Sequence, residues 1–269
     1  MSEILKFFLV QISLIAVVLI LHTYIGLHII RRMLIFSDLV LDQLAAFGAL
    51  IGIGIGIKYG TVNSYFISLI AVLFGSFLLT MIAPKRNIIP REAVIGIMYA
   101  LSLVACLLLG DKLSGGGTYV TKTLSGSMLW VNWPLVIVTL SVYIILLIFH
   151  FQFREKFIGL TENTDNISRV RIWEFLFFAS QGIITVLIVP IAGVLLAYAF
   201  LMIPAAIALL FTRNWVLGVL LGWTVGFLSC LGGLSASYFF NFPYGPSLVL
   251  AMGIAFIISL IIKGVRNKS

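Results

Sequence analysis

Apolar runs of roughly 20 residues, each closed by a charge, a proline or a glycine cluster, recur from one end of this chain to the other. That recurrence constrains the fold more than any motif does. A helix of that length crosses the hydrocarbon core of a bilayer, and a backbone in lipid must satisfy its own hydrogen bonds, so the runs predict helices rather than open strands. Uncharged stretches fall near Phe7 to Ile30, Leu39 to Ile57, Val62 to Ala83, Ala93 to Leu109, Pro134 to His150, Phe175 to Val189, Ile191 to Phe211, Trp215 to Leu234 and Pro246 to Ile262. The expectation is an all-α, polytopic helical membrane protein with about nine transmembrane helices. Between Ile172 and Phe211, roughly 40 residues rising about 1.5 Å each are enough for two crossings. Pro190 is the obvious break there, and one kinked or re-entrant element is the competing reading.

Composition agrees. Hydrophobic residues make up 62% of the 269 residues, charged residues 10%, and the mean hydropathy is +1.20, against about 45–50% apolar and about 25% charged in soluble chains. The longest polar stretch, Phe151 to Arg171, is too short to bury a core of its own, so residues 1–269 read as a single transmembrane domain. Phe7 to Leu21 resembles a signal sequence in hydrophobicity, but no small-residue cleavage site follows it, and it reads as a retained first span.

The formal charge of +8 does not indicate a nucleic-acid partner, because the basic residues are scattered between apolar runs rather than gathered on one module. Topology explains them. With the N-terminus outside, thirteen lysines and arginines, among them Arg31, Arg32, Lys85, Arg86, Arg154 and Arg171, fall on the cytoplasmic side and four remain outside. This positive-inside bias predicts an N-out, C-in arrangement in a bacterial-type cytoplasmic membrane.

The costly residues lie in HTYIGLHIIRRMLIFSDLVLDQLAAFGALIGIGIG, from His22 to Gly56. Carboxylates within a spanning segment face a protein interior or a water-filled path and are functional candidates by default. Asp42 lies about ten residues, or roughly 15 Å, into the second helix. Asp38, four residues earlier, shares its helix face, and Gln43 turns about 100° away. Two carboxylates on one face suit a divalent cation, and an imidazole beside them, His22 or His28 at the end of the first helix, suits zinc, manganese or ferrous iron. The competing readings are interhelical hydrogen bonds for the histidines and a surface ion pair of Asp38 with Arg31 or Arg32. The candidate metal residues are therefore Asp42, Asp38 and His22.

Elsewhere the residues have structural readings. Glu92 and Glu174 suit the N-termini of their own helices. Cys106 and Cys230 lack metal spacing and read as packing residues. Gly48, Gly52, Gly54, Gly56 and Gly60 allow helices to approach closely, and Gly110 to Lys122 is a flexible-turn signal. In the Phe151 to Arg171 loop, Thr161 and Asn163 are candidate caps of a short surface helix. Such a loop is either a solvated connector or a docking element for a cytoplasmic partner. No phosphate-binding loop, HExxH or GxSxG is present, so ATP hydrolysis or other catalysis by this chain is not expected.

Three stretches together resemble the membrane permeases of metal-ion ABC importers of the zinc, manganese and iron type. RRMLIFSDLVLDQLAAFG is similar to that family's basic pair, Asp-x-x-x-His helix start and closing glycine. IAGVLLAYAFLMIPAAIALLF is similar to its Gly-x-Leu-Leu and Ile-Pro-Ala-Ala helix, and GGLSASYFFNFPYGPSLVLAMG to its Pro-x-Gly-Pro turn. EAVIGIMYA and LSGSMLWV are weaker echoes. The pattern departs at Asp42, which stands where the family has histidine, and at LTENTDN, which replaces its usual coupling run. Both departures mark a divergent branch.

The resemblance implies a type II ABC importer permease that works as a homodimer. It implies partnership with a cytoplasmic ATP-binding subunit and an extracytoplasmic metal-binding protein, and it places a coupling helix in residues 151–171. No cofactor is implied to stay bound; the divalent metal is cargo. The rivals are a permease for a metal chelate or small organic cofactor, and a structural or regulatory subunit that no longer transports. An intramembrane hydrolase is disfavoured, since both aspartates lie on one helix.

Overall fold

The computed structural model describes residues 3–82, 89–125, 131–164 and 167–266. The Lys85–Arg86 pair, the middle of LSGSMLWV and Asp165–Asn166 of LTENTDN lie outside these residues. The described residues form ten helices: α1 (Glu3–Arg31), α2 (Phe36–Gly54), α3 (Val62–Met81), α4 (Arg91–Lys112), α5 (Gly116–Ser125), α6 (Trp133–Gln152), α7 (Arg154–Glu162), α8 (Val170–Phe211), α9 (Trp215–Phe240) and α10 (Tyr244–Arg266). Among the described residues, eight helices are long and apolar enough to span a membrane, so this is an integral membrane protein.

The ninth expected span is absorbed into α8, a 42-residue element that Gly193 breaks with φ 77° and ψ 162°. The break falls at this glycine rather than at Pro190. Proline removes one N–H and tolerates helical φ, whereas the positive φ at the joint needs a residue without Cβ.

The chain divides into two compact units. Unit 1 comprises Met1–Ile30, Ser127–Leu147 and Leu195–Ser269, and unit 2 comprises Arg31–Gly126 and Ile148–Val194. Within unit 1, α9 packs on α10, and Trp223 on α9 donates its indole N–H to the Ala16 carbonyl of α1 at 2.9 Å.

In unit 2, α2 is the central helix, packed against α3 and α4 and buried around most of its circumference. The α3 sequence shows how lipid sorts such a helix. Phe66, Ile70, Phe74 and Phe77 are exposed, while Ser64, Ser68, Ser76 and Thr80 face inward. Small polar residues allow close backbone approach where apolar ones would only exchange lipid for protein. Their hydroxyls are satisfied locally: Ser76 donates to the Val72 carbonyl and Thr80 to the Ser76 carbonyl. At Gly48 a Cβ would sit 2.7 Å from the Ser68 Cα, so this α2 glycine is a true contact point with α3. Gly56 and Gly60 instead occupy positive-φ positions in the turn that follows α2.

One expectation about connections changes. The turn expected over residues 110–122 is confined to the residues around Gly115, and α5 starts at Gly116. In the long polar connection the short helix forms with Thr161 inside it and Asn163 as its C-terminal cap: α7 ends at Glu162, and the Asn163 N–H closes it on the Gly159 carbonyl at 2.8 Å. Aromatic packing fixes α7 there. Phe157 is fully buried, stacks on His150 at 4.0 Å and meets Trp173 at 5.7 Å.

Candidate functional site

Unit 2 holds two groups of buried charge on α2, its neighbours and the first part of α8. The first joins the starts of α4 and α8 to the turn between α1 and α2. Glu174 near the start of α8 accepts from Arg32 and, at 2.8 Å, from Arg91. Arg91 also donates to the Leu79 carbonyl at 3.0 Å, and the two guanidiniums lie over Phe177 and Phe178. Burial pushes the Arg32 guanidinium down to about 10, against the pull of Glu174; that remains far above neutral, so Arg32 keeps its charge. Nearby, Arg31 reaches Glu162 of α7 at 3.4 Å. Asp38 therefore does not make the surface pair considered from sequence. Both arginines are engaged with glutamates, and Asp38 turns into the unit.

Glu92 lies in the first turn of α4, as expected, and has a second role. Its carboxylate also accepts the Phe36 N–H at 2.8 Å, capping α2. Ile35, which precedes α2, has no side chain able to cap it. An acceptor from another helix takes that place.

Further along α2 is the second group. Asp38 and Asp42 are 2% and 0% exposed. One α-helical turn separates them, so they lie on one face. Gln181 on α8 donates its Nε2–H to Asp38 Oδ1 at 2.9 Å. One turn on, Thr185 approaches Asp42, yet neither Asp42 oxygen has a hydrogen bond of good geometry. The Gln181 Oε1 is likewise buried without a partner. Two rungs result, Asp38 with Gln181 and Asp42 with Thr185, and the matching four-residue steps mean that α2 and α8 run in the same direction here. A carboxylate removed from water and left unbonded is costly. A cation placed against it would remove that cost.

Gln43, turned away from this face, lines a small enclosed space with Cys106, Tyr119 and Thr123. Cys106 donates its S–H to the Gln43 carbonyl at 3.1 Å. Both cysteines are free and buried, as packing residues would be.

His22 belongs to unit 1, apart from the two aspartates in this division of the chain. Its Nδ1 is 3.1 Å from the Val18 carbonyl and 3.3 Å from the Tyr143 hydroxyl. A carbonyl can only accept, so Nδ1 carries the proton of the neutral ring and Nε2 keeps its lone pair. The ring stacks on Tyr143 at 5.9 Å. His28 is enclosed by Tyr24 and Trp215, with ring centroids 4.7 and 4.3 Å away.

Asp38 and Asp42 stand out in the sequence, whereas Gln181 and Thr185, which the structure sets beside them, do not. Their signal was two polar residues spaced four apart in an otherwise apolar span, and a neutral amide or hydroxyl raises less suspicion there than a charge.

Residues 2–263 match the ABC 3 transport family. The chain belongs to that family. A probable metal transport system membrane protein of Chlamydia pneumoniae is 24% identical over 226 residues, covering 81% of this chain and 77% of that protein. The manganese import system permease protein ScaB of Streptococcus parasanguinis is 26% identical over 247 residues, covering 90% of this chain and 85% of ScaB. A solved structure, PsaBC from Streptococcus pneumoniae in complex with Fab, matches with a TM-score of 0.75 at 22% identity, over 93% of this chain and 90% of that one. At that identity the likeness is one of fold, and it gives these helices the architecture of an ABC permease.

Proposed function

We propose that this chain is the membrane-spanning permease of an ATP-driven importer for a divalent metal ion, with manganese the leading cargo. The observation that carries the reading is Asp42: a fully buried carboxylate, inside a spanning helix, with both oxygens lacking a well-formed hydrogen bond. Asp42 is the principal cation ligand and Asp38 assists. His22, the third candidate from the sequence, lies in unit 1 with its Nδ1 held by the Val18 carbonyl, and the proposed site is built from unit 2 alone. The printed names of the relatives, a metal transport protein and a manganese permease, support the choice of cargo. Oxygen-rich donors favour manganese over softer, nitrogen- and sulfur-seeking ions.

ATP hydrolysis belongs to a separate cytoplasmic subunit, since the chain carries no nucleotide-binding loop. The α7 region, anchored by Phe157 and presenting Arg154 and Glu155 outward, is the docking element for that subunit. An extracytoplasmic binding protein delivers the metal, two copies of the chain form the path, and the N-terminus lies outside. Alternating access then requires the cation to bind one arrangement of the helices better than the other.

The test is ATP-dependent accumulation of radiolabelled manganese, zinc and iron in proteoliposomes holding the full chain with its ATPase subunit. Accumulation of manganese that Asp42→Ala abolishes supports the reading. ATP-driven uptake of none of these metals by a folded, ATPase-bound permease would overturn it.

A further inference from the structure

We infer that Gln181 and Thr185 on α8 complete the cation site that Asp38 and Asp42 begin, and that Gln181 sets its preference for a hard, oxygen-seeking divalent cation. The inference rests on the metal-permease reading and adds to it a second helix and a basis for selectivity.

Two aspartates a turn apart do not by themselves make a site. The additional observation here is Gln181: fully buried, with Nε2 bonded to Asp38 and Oε1 left without a partner beside the same carboxylate. An amide commonly uses both ends when buried, because an unpaired carbonyl in a low-dielectric interior is costly. Gln181 uses one end to hold Asp38, which leaves Asp38 a second oxygen, and keeps the other as a neutral oxygen donor. The Asp42 oxygens add anionic donors, and Thr185 adds a hydroxyl at the next rung.

The donor set on unit 2 is thus carboxylate, carboxylate, amide carbonyl and hydroxyl, all oxygen. Oxygen ligands suit manganese, magnesium and calcium, whereas zinc gains most from imidazole and thiolate. Asp42 and Gln181 both present oxygen, and neither imidazole nor thiolate stands among these four residues.

The decisive experiment is equilibrium binding of radiolabelled manganese and zinc to the purified full-length chain in lipid nanodiscs. It compares wild type, Gln181→Leu, Gln181→His, Thr185→Val and Asp42→Ala, each first shown to be monodisperse with a wild-type melting transition. Gln181→Leu is expected to weaken manganese binding about ten-fold, the scale of losing a supporting metal contact, and zinc binding less. Gln181→His, which restores a donor but as nitrogen, is expected to move the manganese-to-zinc affinity ratio toward zinc by a similar factor. Thr185→Val is expected to weaken manganese binding by a smaller factor. If both Gln181 variants keep the wild-type ratio while Asp42→Ala loses manganese, the role of Gln181 is overturned and the Asp42 site stands. If Asp42→Ala binds manganese as wild type does, the metal-site reading itself fails, and this inference with it.

Discussion

Glu174 and Asp42 are both buried carboxylates of unit 2, yet their surroundings are opposite. Glu174 sits between two guanidiniums, Arg32 and Arg91, with aromatic rings beneath them. Asp42 has a neutral hydroxyl nearby, no well-formed hydrogen bond and a second aspartate one turn away. The first is a closed account of charge: its cations come from the chain and hold the starts of α4 and α8 to the α1–α2 junction. The second has no cationic side chain paired with it among the described residues, and a cation cargo is what we propose completes it. On the proposed reading, burial without a counter-charge, rather than burial alone, marks the functional carboxylate.

The largest effect should come from Asp42→Ala. It removes the proposed principal ligand and should lower manganese uptake by at least about 100-fold, at the upper end of what even supporting contacts cost, while the melting temperature stays at or above the wild-type value. A fall in melting temperature that accounts for the lost uptake would dissolve the contrast with Glu174.

Glu174→Gln should act through stability. It leaves Arg32 and Arg91 buried around a neutral amide and should destabilise the protein by on the order of 3 kcal/mol, read as a lowered thermal transition in detergent. Gly48→Val, which forces a side chain into the α2–α3 contact at Ser68 and Ala71, should cost about 2 kcal/mol of stability. Its effect on uptake should follow the loss of folded protein. Glu92→Ala, which removes the cap on the Phe36 N–H, is the mildest at about 1 kcal/mol, and a transition unchanged from wild type would show that water replaces the cap fully.

Much of this was legible in the sequence, and unevenly. The spans were readable because lipid imposes a long, uniform apolar signal, and Asp38 and Asp42 stood out against it. The partners of those residues were not readable. Gln181 is 143 positions from Asp38, and nothing local in α8 says which helix it will face. The same holds for Glu174, whose neighbour Arg171 suggested a helix-start residue although its actual partners are Arg32 and Arg91. The break in α8 was legible only as a region. Proline is the louder signal, but positive φ belongs to Gly193. For α7, Asn163 is a cap and Thr161 falls inside the helix; the aromatic anchor Phe157, with its contacts to His150 and Trp173, holds it there and was not readable locally.

The most direct measurement compares Asp42→Ala and Glu174→Gln in one assay: ATP-driven manganese accumulation in proteoliposomes with the ATPase subunit, normalised to the amount of folded permease. If uncompensated charge marks the cation path, Glu174→Gln transports at near wild-type rate per folded molecule and Asp42→Ala does not transport. Equal loss in both, or normal transport by Asp42→Ala, would contradict the account.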